Sequence, residues 1–156
     1  MIQRIQTVYI ALALILTVAC LCMKIGAYSV EGIGTIASEY NLMVVYDAMG
    51  KYSFDTWPLL AILMLSTVLG VYSIFAYNNR IRQARICAFN VLLVVGWYVL
   101  YAVYSRLLVG NVEVDTLHFT PTPTAAFPLA AAVFYLLARR GIMSDERLVR
   151  SADRIR

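Results

Sequence analysis

The chain has 156 residues, of which 62% are hydrophobic and 14% are charged, and its formal net charge is +4. A soluble domain carries about 25% charged residues, so the composition excludes an ordinary soluble protein and indicates a single membrane domain over residues 1–156. The basic residues flank apolar segments and form no soluble basic domain, so the charge does not predict nucleic-acid binding.

Four runs without charged residues predict four transmembrane helices. The runs contain 19, 24, 20 and 20 residues, and a span needs about 20. No run has a charged face, which argues against helices that lie in the membrane interface. We therefore predict an all-α membrane protein, a four-helix transmembrane bundle with helices at about 5–24, 57–79, 85–107 and 122–141.

The first outer loop, residues 25–56, predicts a small β-hairpin. The run NLMVVYD is followed by a turn at Asp47–Lys51 and by Tyr52-Ser53-Phe54. The second outer loop, residues 108–121, alternates Val112, Val114 and Leu117 with polar residues and predicts one strand that pairs with this hairpin. Four helices with a small outer sheet would be similar to claudin-like bundles, whose role is adhesion or assembly.

Within the predicted spans, the most polar side chain is Asn90 on helix 3. We expect an interhelical hydrogen bond there, and a polar pore residue is the alternative. Ser66 and Gly70 on helix 2 form a small-xxx-small pair, which favours close helix packing. The spans contain no Asp, Glu, Lys, Arg or His, which disfavours an ion- or proton-coupled carrier.

Proline positions leave the start of helix 4 open. Pro128 predicts either a kink within a helix that begins near Pro121–Pro123 or the real beginning of the helix. In the second case the helix must continue past Arg139 and Arg140 to cross the membrane, and both arginines would extend toward the interface.

Basic residues predict the orientation, because cytoplasmic loops are enriched in Lys and Arg. Ten of the 13 basic residues belong to the N-terminus, the loop between helices 2 and 3, and the tail. We therefore expect both termini in the cytoplasm of a multi-pass protein in the bacterial inner membrane, with the lipid bilayer as its first partner.

The tail, residues 142–156, predicts a short amphipathic cytoplasmic helix after a hinge at Gly141. Ser144 is a suitable N-cap, and Leu148, Ala152 and Ile155 form a narrow apolar stripe. We expect this helix to dock on the loop between helices 2 and 3 or on a protein partner, or to anchor on anionic lipid headgroups. The candidate interaction residues are Arg80, Arg82, Arg85, Leu148, Arg150, Ala152, Arg154 and Ile155.

The pattern predicts no catalytic, metal-binding or cofactor-binding residue. His118 lies near Glu113 and Asp115, but strand alternation places the histidine on the opposite face from both carboxylates. These three residues are the candidates for an alternative function, a membrane enzyme that acts at the outer interface.

Three segments resemble a known family: MIQRIQTVY at the start, NNRIRQARIC between helices 2 and 3, and DERLVRSADRIR at the end. They are similar to small four-span proteins of Bacteroidota catalogued as domain of unknown function 4293. The resemblance covers the whole chain and implies an inner-membrane protein with four helices. It implies no activity, cofactor or catalytic residue.

The expected function is that of a non-enzymatic structural or accessory subunit of a membrane complex, acting through a protein partner or as a homo-oligomer. A small transporter or channel subunit is the alternative, and the interfacial enzyme is the third hypothesis. The absence of ionisable residues in the spans and the basic residues at one side favour the first.

Overall fold

The computed structural model describes residues 2–46, 50–76, 79–110 and 117–153. In these residues the chain forms four long helices and five short strands, and a 3-10 helix at Pro123–Ala126. The elements in chain order are α1 (Ile2–Cys22), β1 (Gly26–Val30), β2 (Gly34–Glu39), β3 (Val44–Tyr46), β4 (Lys51–Ser53), α2 (Trp57–Phe75), α3 (Arg80–Gly110), β5 (Leu117–Pro121) and α4 (Phe127–Asp153).

All four helices are long and apolar enough to cross a membrane, which confirms the predicted four spans. α1 packs against α2 and α4, and α3 packs against the same two helices. Large apolar side chains such as Ile15, Val68 and Leu92 lie on the outside of the bundle, at 64%, 61% and 65% exposure. Apolar exposure on this scale is typical of a surface that faces lipid.

The buried face of α2 explains how closely the helices pack. Its buried residues recur at spacings of four and three, so they share one side of the helix. At Gly70 a Cβ atom would lie 2.5 Å from the Tyr135 hydroxyl and 2.6 Å from Leu14 Cδ2. The missing side chain at Gly70 therefore provides the space that Leu14 of α1 and Tyr135 of α4 occupy against α2.

The outer loops fold into one antiparallel sheet with the strand order β4-β3-β2-β1-β5. The predicted hairpin is present, since β3 pairs with β4 and Val44 lies opposite Ser53. The sequence did not predict β1 and β2. Their turn places Gly32 and Gly34 at φ values of 84° and 91°, a left-handed conformation that side chains disfavour.

The predicted strand of the second outer loop has a different partner from the expected one. β5 pairs with β1, with Leu117 opposite Val30 and Pro121 opposite Gly26. The expected pairing with the β3–β4 hairpin is wrong, because β1 and β2 lie between that hairpin and β5. Val112 and Val114 lie outside the described residues.

Helix α4 corrects the expected start of the fourth span. The chain up to Pro121 belongs to β5, and the 3-10 helix follows, so α4 begins at Phe127 with Pro128 in its first turn. Proline fits there because a first-turn residue needs no N–H partner. The second reading of Pro128 is therefore the right one, and α4 does continue past Arg139 and Arg140.

The tail is not a separate helix. α4 runs without a break through Gly141 and Ser144 to Asp153, so the expected hinge and N-cap are wrong. A Cβ atom at Gly141 would lie 3.1 Å from Gln6 Cγ. The glycine therefore provides space for α1 to pack closely against α4.

The bundle has two distinct ends. The sheet end is formed by the five strands with the adjoining ends of the helices. The tail end is formed by the start of α1, the start of α3 and the end of α4.

Candidate functional site

Asn41 is the centre of a buried polar network at the sheet end. Its side chain is fully buried. Its Nδ2 donates to the Cys20 carbonyl oxygen at 2.7 Å, and its Oδ1 accepts from Trp97 Nε1 at 3.0 Å. The Asn41 carbonyl accepts from the Leu60 N–H at 3.1 Å. One loop residue thus connects α1, α2 and α3.

Three further side chains tie the sheet and the start of α4 to the bundle. The Tyr101 hydroxyl donates to the Ile25 carbonyl at 2.7 Å, and the Thr124 hydroxyl donates to the Lys24 carbonyl. The Tyr98 hydroxyl donates to the Ala125 carbonyl at 2.6 Å. Because buried polar groups are costly unless paired, these bonds fix the position of the sheet on the helices.

Glu39, the last residue of β2, places a carboxyl group inside this junction. It is fully buried. Its Oε2 accepts a hydrogen bond from the Tyr28 hydroxyl at 2.8 Å. Its Oε1 is buried and has no hydrogen-bond partner among the described residues. A buried carboxyl with one unpaired oxygen favours its protonated form.

Burial raises the pKa of Glu39 from 4.5 to about 7, although the hydrogen bond from Tyr28 acts in the opposite direction. Burial also raises the pKa of Tyr28, and the nearby Glu39 charge adds to the effect. Burial therefore keeps Glu39 partly protonated near neutral pH, while the tyrosine stays protonated and donates the hydrogen bond.

A cluster of aromatic rings lies beside the carboxyl group. The rings of Tyr28 and Phe119 have centroids 4.9 Å apart, and those of Tyr101 and Phe119 are 5.8 Å apart. Trp97 stacks on Tyr101 at 5.0 Å. At Gly26 a Cβ atom would lie 2.5 Å from Phe119 Cε2 and 3.3 Å from Glu39 Oε2. The missing side chain thus creates the space that the ring and the carboxyl group occupy.

Glu39 and Asn41 are site residues that the sequence did not predict. The burial along β2 does not alternate cleanly, since its last three residues are all buried. The Asn41 side chain bonds to Trp97, 56 residues along the chain, and Glu39 accepts its hydrogen bond from Tyr28 on the neighbouring strand. The available signal was local: a glutamate and an asparagine, separated by one tyrosine, immediately before the apolar run LMVVY.

The intramembrane residue Asn90 faces the bundle core. It is fully buried, and its Oδ1 accepts a hydrogen bond from the Ser66 hydroxyl on α2 at 3.1 Å. Its Nδ2 has no partner among the described residues. The Ser66–Asn90 hydrogen bond joins α2 to α3 and leaves the Asn90 Nδ2 group in the interior of the bundle.

At the outer surface, the His118 Nε2 atom lies 3.7 Å from a Glu31 carboxylate oxygen, and both side chains are exposed. Glu113 and Asp115 lie outside the described residues. In the part of the chain that the structure describes, no group of three or more His, Cys, Asp and Glu side chains is placed to hold a metal ion.

The tail end contains a buried contact between two residues that were not predicted as interaction residues. Gln6 Nε2 donates to Asp145 Oδ2 at 2.6 Å, and both side chains are buried. This contact attaches α4 to the start of α1 rather than to the loop between α2 and α3. Beyond Asp145, Leu148 is 60% exposed.

The remaining predicted interaction residues lie on or near this end. Arg80 is half-buried at the start of α3, and Arg82 and Arg85 are exposed in its first turns. Arg150 and Ala152 belong to α4, but their side chains lie outside the described part of the structure. Arg154 and Ile155 lie entirely outside the described residues.

The family described as Domain of unknown function (DUF4293) matches residues 2–155 of this chain. The chain belongs to the DUF4293 family. No curated protein matches it. The matched range includes the Glu39 junction, Asn90 and the Gln6–Asp145 contact, so both ends of the bundle belong to the DUF4293 domain.

Proposed function

We propose that this DUF4293 protein is a non-enzymatic accessory subunit of a membrane complex in the bacterial inner membrane, and that its outer sheet contacts a protein partner. The observation that carries the proposal is an edge of the sheet that carries exposed aromatic side chains. Among the described strands β4 is at the edge, and Tyr52 in β4 and Phe54 just after it are 64% and 53% exposed. Exposed aromatic side chains are enriched in protein interfaces.

The rigid junction supports this proposal. Binding is stronger when the contact surface is already ordered, because less conformational entropy is lost. Asn41, Tyr101 and Thr124 attach the sheet to three helices and to the start of α4. The Tyr52 and Phe54 rings also pack against each other, with centroids 5.9 Å apart. The edge is thus presented as a preorganised surface.

The proposed orientation places both termini in the cytoplasm and the sheet outside. The excess of basic residues at the tail end favours it. Leu148 and Val149, at 60% and 44% exposure, provide a second apolar contact at that end, and we propose that it serves a cytoplasmic part of the same complex.

Site-specific photo-crosslinking in intact membranes tests the sheet edge. A photoreactive residue in place of Phe54 is expected to give an adduct of one defined mass. The matched control position is Ile33, which is 77% exposed in the turn between β1 and β2 and is expected to give none. The Tyr52→Ser/Phe54→Ser variant should also run at a smaller native size in mild detergent. Equal labelling at both positions, with an unchanged native size, would reject the proposal.

A small transporter or channel subunit is the second candidate. The buried Nδ2 of Asn90, which has no partner among the described residues, favours it, because an unsatisfied amide inside a bundle is a site where a polar solute or water can bind. Solute flux into liposomes containing the purified protein, lost in Asn90→Leu and retained in Ser66→Ala, would support this candidate over the accessory subunit.

A further inference from the structure

A groove between α3 and α4 at the tail end combines two arginines with apolar walls. It has a volume of about 430 Å³ and is lined by Arg85 and Phe89 from α3 and by Arg139 and Met143 from α4, among others. Phe89 and Leu92, which also line the groove, are 48% and 65% exposed. The groove is thus charged and apolar within one surface, and it faces away from the bundle core.

Neither arginine has an acidic partner in the described part of the chain. An ion pair between described residues joins His118 to Glu31, but it lies at the sheet end of the bundle. The acidic residue nearest in sequence on α4, Asp145, accepts its hydrogen bond from Gln6. Two guanidinium groups that line one groove repel each other, so an anion between them would stabilise the arrangement.

The depth of Arg139 makes an anionic lipid the fitting occupant. A span of about 30 Å takes about 20 residues at 1.5 Å each, so a helix that begins at Phe127 reaches the far interface near residue 146. Arg139 lies six residues before Asp145, which is about 9 Å along the axis. A charge at that depth is costly unless it is paired or extends to the headgroup level.

We propose that this groove is a specific binding site for one phospholipid with a net negative headgroup. Its phosphate accepts hydrogen bonds from Arg85 and Arg139, and an acyl chain follows Phe89 and Leu92. Guanidinium groups bind phosphate through paired N–H donors. A zwitterionic lipid offers the same phosphate together with a positive group that both arginines repel. The site therefore selects by net charge of the headgroup, and the acyl chain adds apolar contact that a free anion lacks.

Native mass spectrometry of the full-length protein in detergent tests this site. The protein is titrated with phosphatidylglycerol and with phosphatidylcholine of the same acyl chains, and with glycerol phosphate as a headgroup without chains. The variants are Arg85→Gln, Arg139→Gln and both together. Arg82→Gln is the matched control, because Arg82 is exposed on the same helix and does not line the groove.

The wild-type protein should retain one phosphatidylglycerol in preference to phosphatidylcholine. Each arginine substitution should weaken retention about fivefold, the double variant should lose the preference, and Arg82→Gln should keep it. Equal retention of the two lipids by the wild-type protein would overturn the proposal without any variant. Displacement of the lipid by glycerol phosphate at equal concentration would assign the groove to a soluble anion. A wild-type dimer that excludes lipid and is lost in the double variant would assign it to a second copy of the chain.

Discussion

Replacing Glu39 by Gln should remove a pH-dependent loss of stability at the sheet end. The glutamine has the same shape, and its carbonyl oxygen still accepts the hydrogen bond that the Tyr28 hydroxyl donates to Oε2 at 2.8 Å. It carries no charge at any pH. The variant therefore isolates the cost of ionising a fully buried carboxyl group whose other oxygen has no partner among the described residues.

The sign of the effect follows from the raised pKa. The pKa of Glu39 is 4.5 in an exposed chain and about 7 in the folded protein. Between these values the folded state binds more protons than the unfolded state, so stability falls as the pH rises. The stabilising contribution of the protonated group is complete below pH 4.5 and is lost as the pH passes about 7. The difference between these two pKa values corresponds to about 3 kcal/mol in the free energy of unfolding.

Thermal unfolding of the purified protein in detergent between pH 4.5 and 8.5 measures this effect, with the fluorescence of buried Trp97 as the signal. The wild-type midpoint minus the Glu39→Gln midpoint should fall steadily through this range and level off near its alkaline end. Glu31→Gln is the matched control, because Glu31 is 76% exposed, and its profile should follow that of the wild type. A parallel pH dependence in wild type and Glu39→Gln would refute the reasoning.

Three further experiments test the packing and the buried hydrogen bonds. Gly70→Val should cost about 1–3 kcal/mol because its side chain overlaps neighbouring atoms, whereas Gly96→Ala, which meets nothing within 4 Å, should be neutral or stabilising in the same thermal assay. Asn41→Ala should cost about 2–4 kcal/mol and shift the buried-tryptophan emission to longer wavelength, because it leaves several buried groups unpaired. A double-mutant cycle of Gln6→Ala and Asp145→Ala should give a coupling of about 1–3 kcal/mol, and additive effects would contradict the observed contact.

The four spans were predictable because hydropathy is a local property of the chain. The start of α4 was not, since the apolar run that begins at Phe119 is divided between β5, the 3-10 helix and the helix. Hydropathy does not distinguish an apolar strand from an apolar helix. The prolines do indicate where the helix begins, since Pro128 lies in the first turn of α4. The tail was predicted as a separate helix because Gly141 was interpreted as a hinge, whereas it is a contact point for Gln6.

The junction could not be predicted because most of its bonds join residues far apart in sequence. Asn41 contacts Cys20 and Trp97, and Glu39 lies opposite Gly26 of β1, the strand that also supplies its partner Tyr28. Strand pairing of this kind depends on the whole sheet, and the sequence offered no alternation that marks β1 and β2 as strands. Local pattern therefore located the hairpin β3–β4, while the register that buries the carboxyl group follows from tertiary contacts.

The two proposals concern opposite ends of the bundle and can fail separately. Arg85 and Trp97 lie on the same helix, 12 residues or about 18 Å apart, and effects at this separation are normally additive. Substitution of Tyr52 and Phe54 should therefore leave the lipid preference of the groove unchanged. Substitution of Arg85 and Arg139 should leave the Phe54 adduct unchanged. If either pair of substitutions altered both the lipid preference and the Phe54 adduct, α3 would be acting as a rigid link between lipid binding and the position of the sheet. The subunit would then respond to its membrane as well as to its partner.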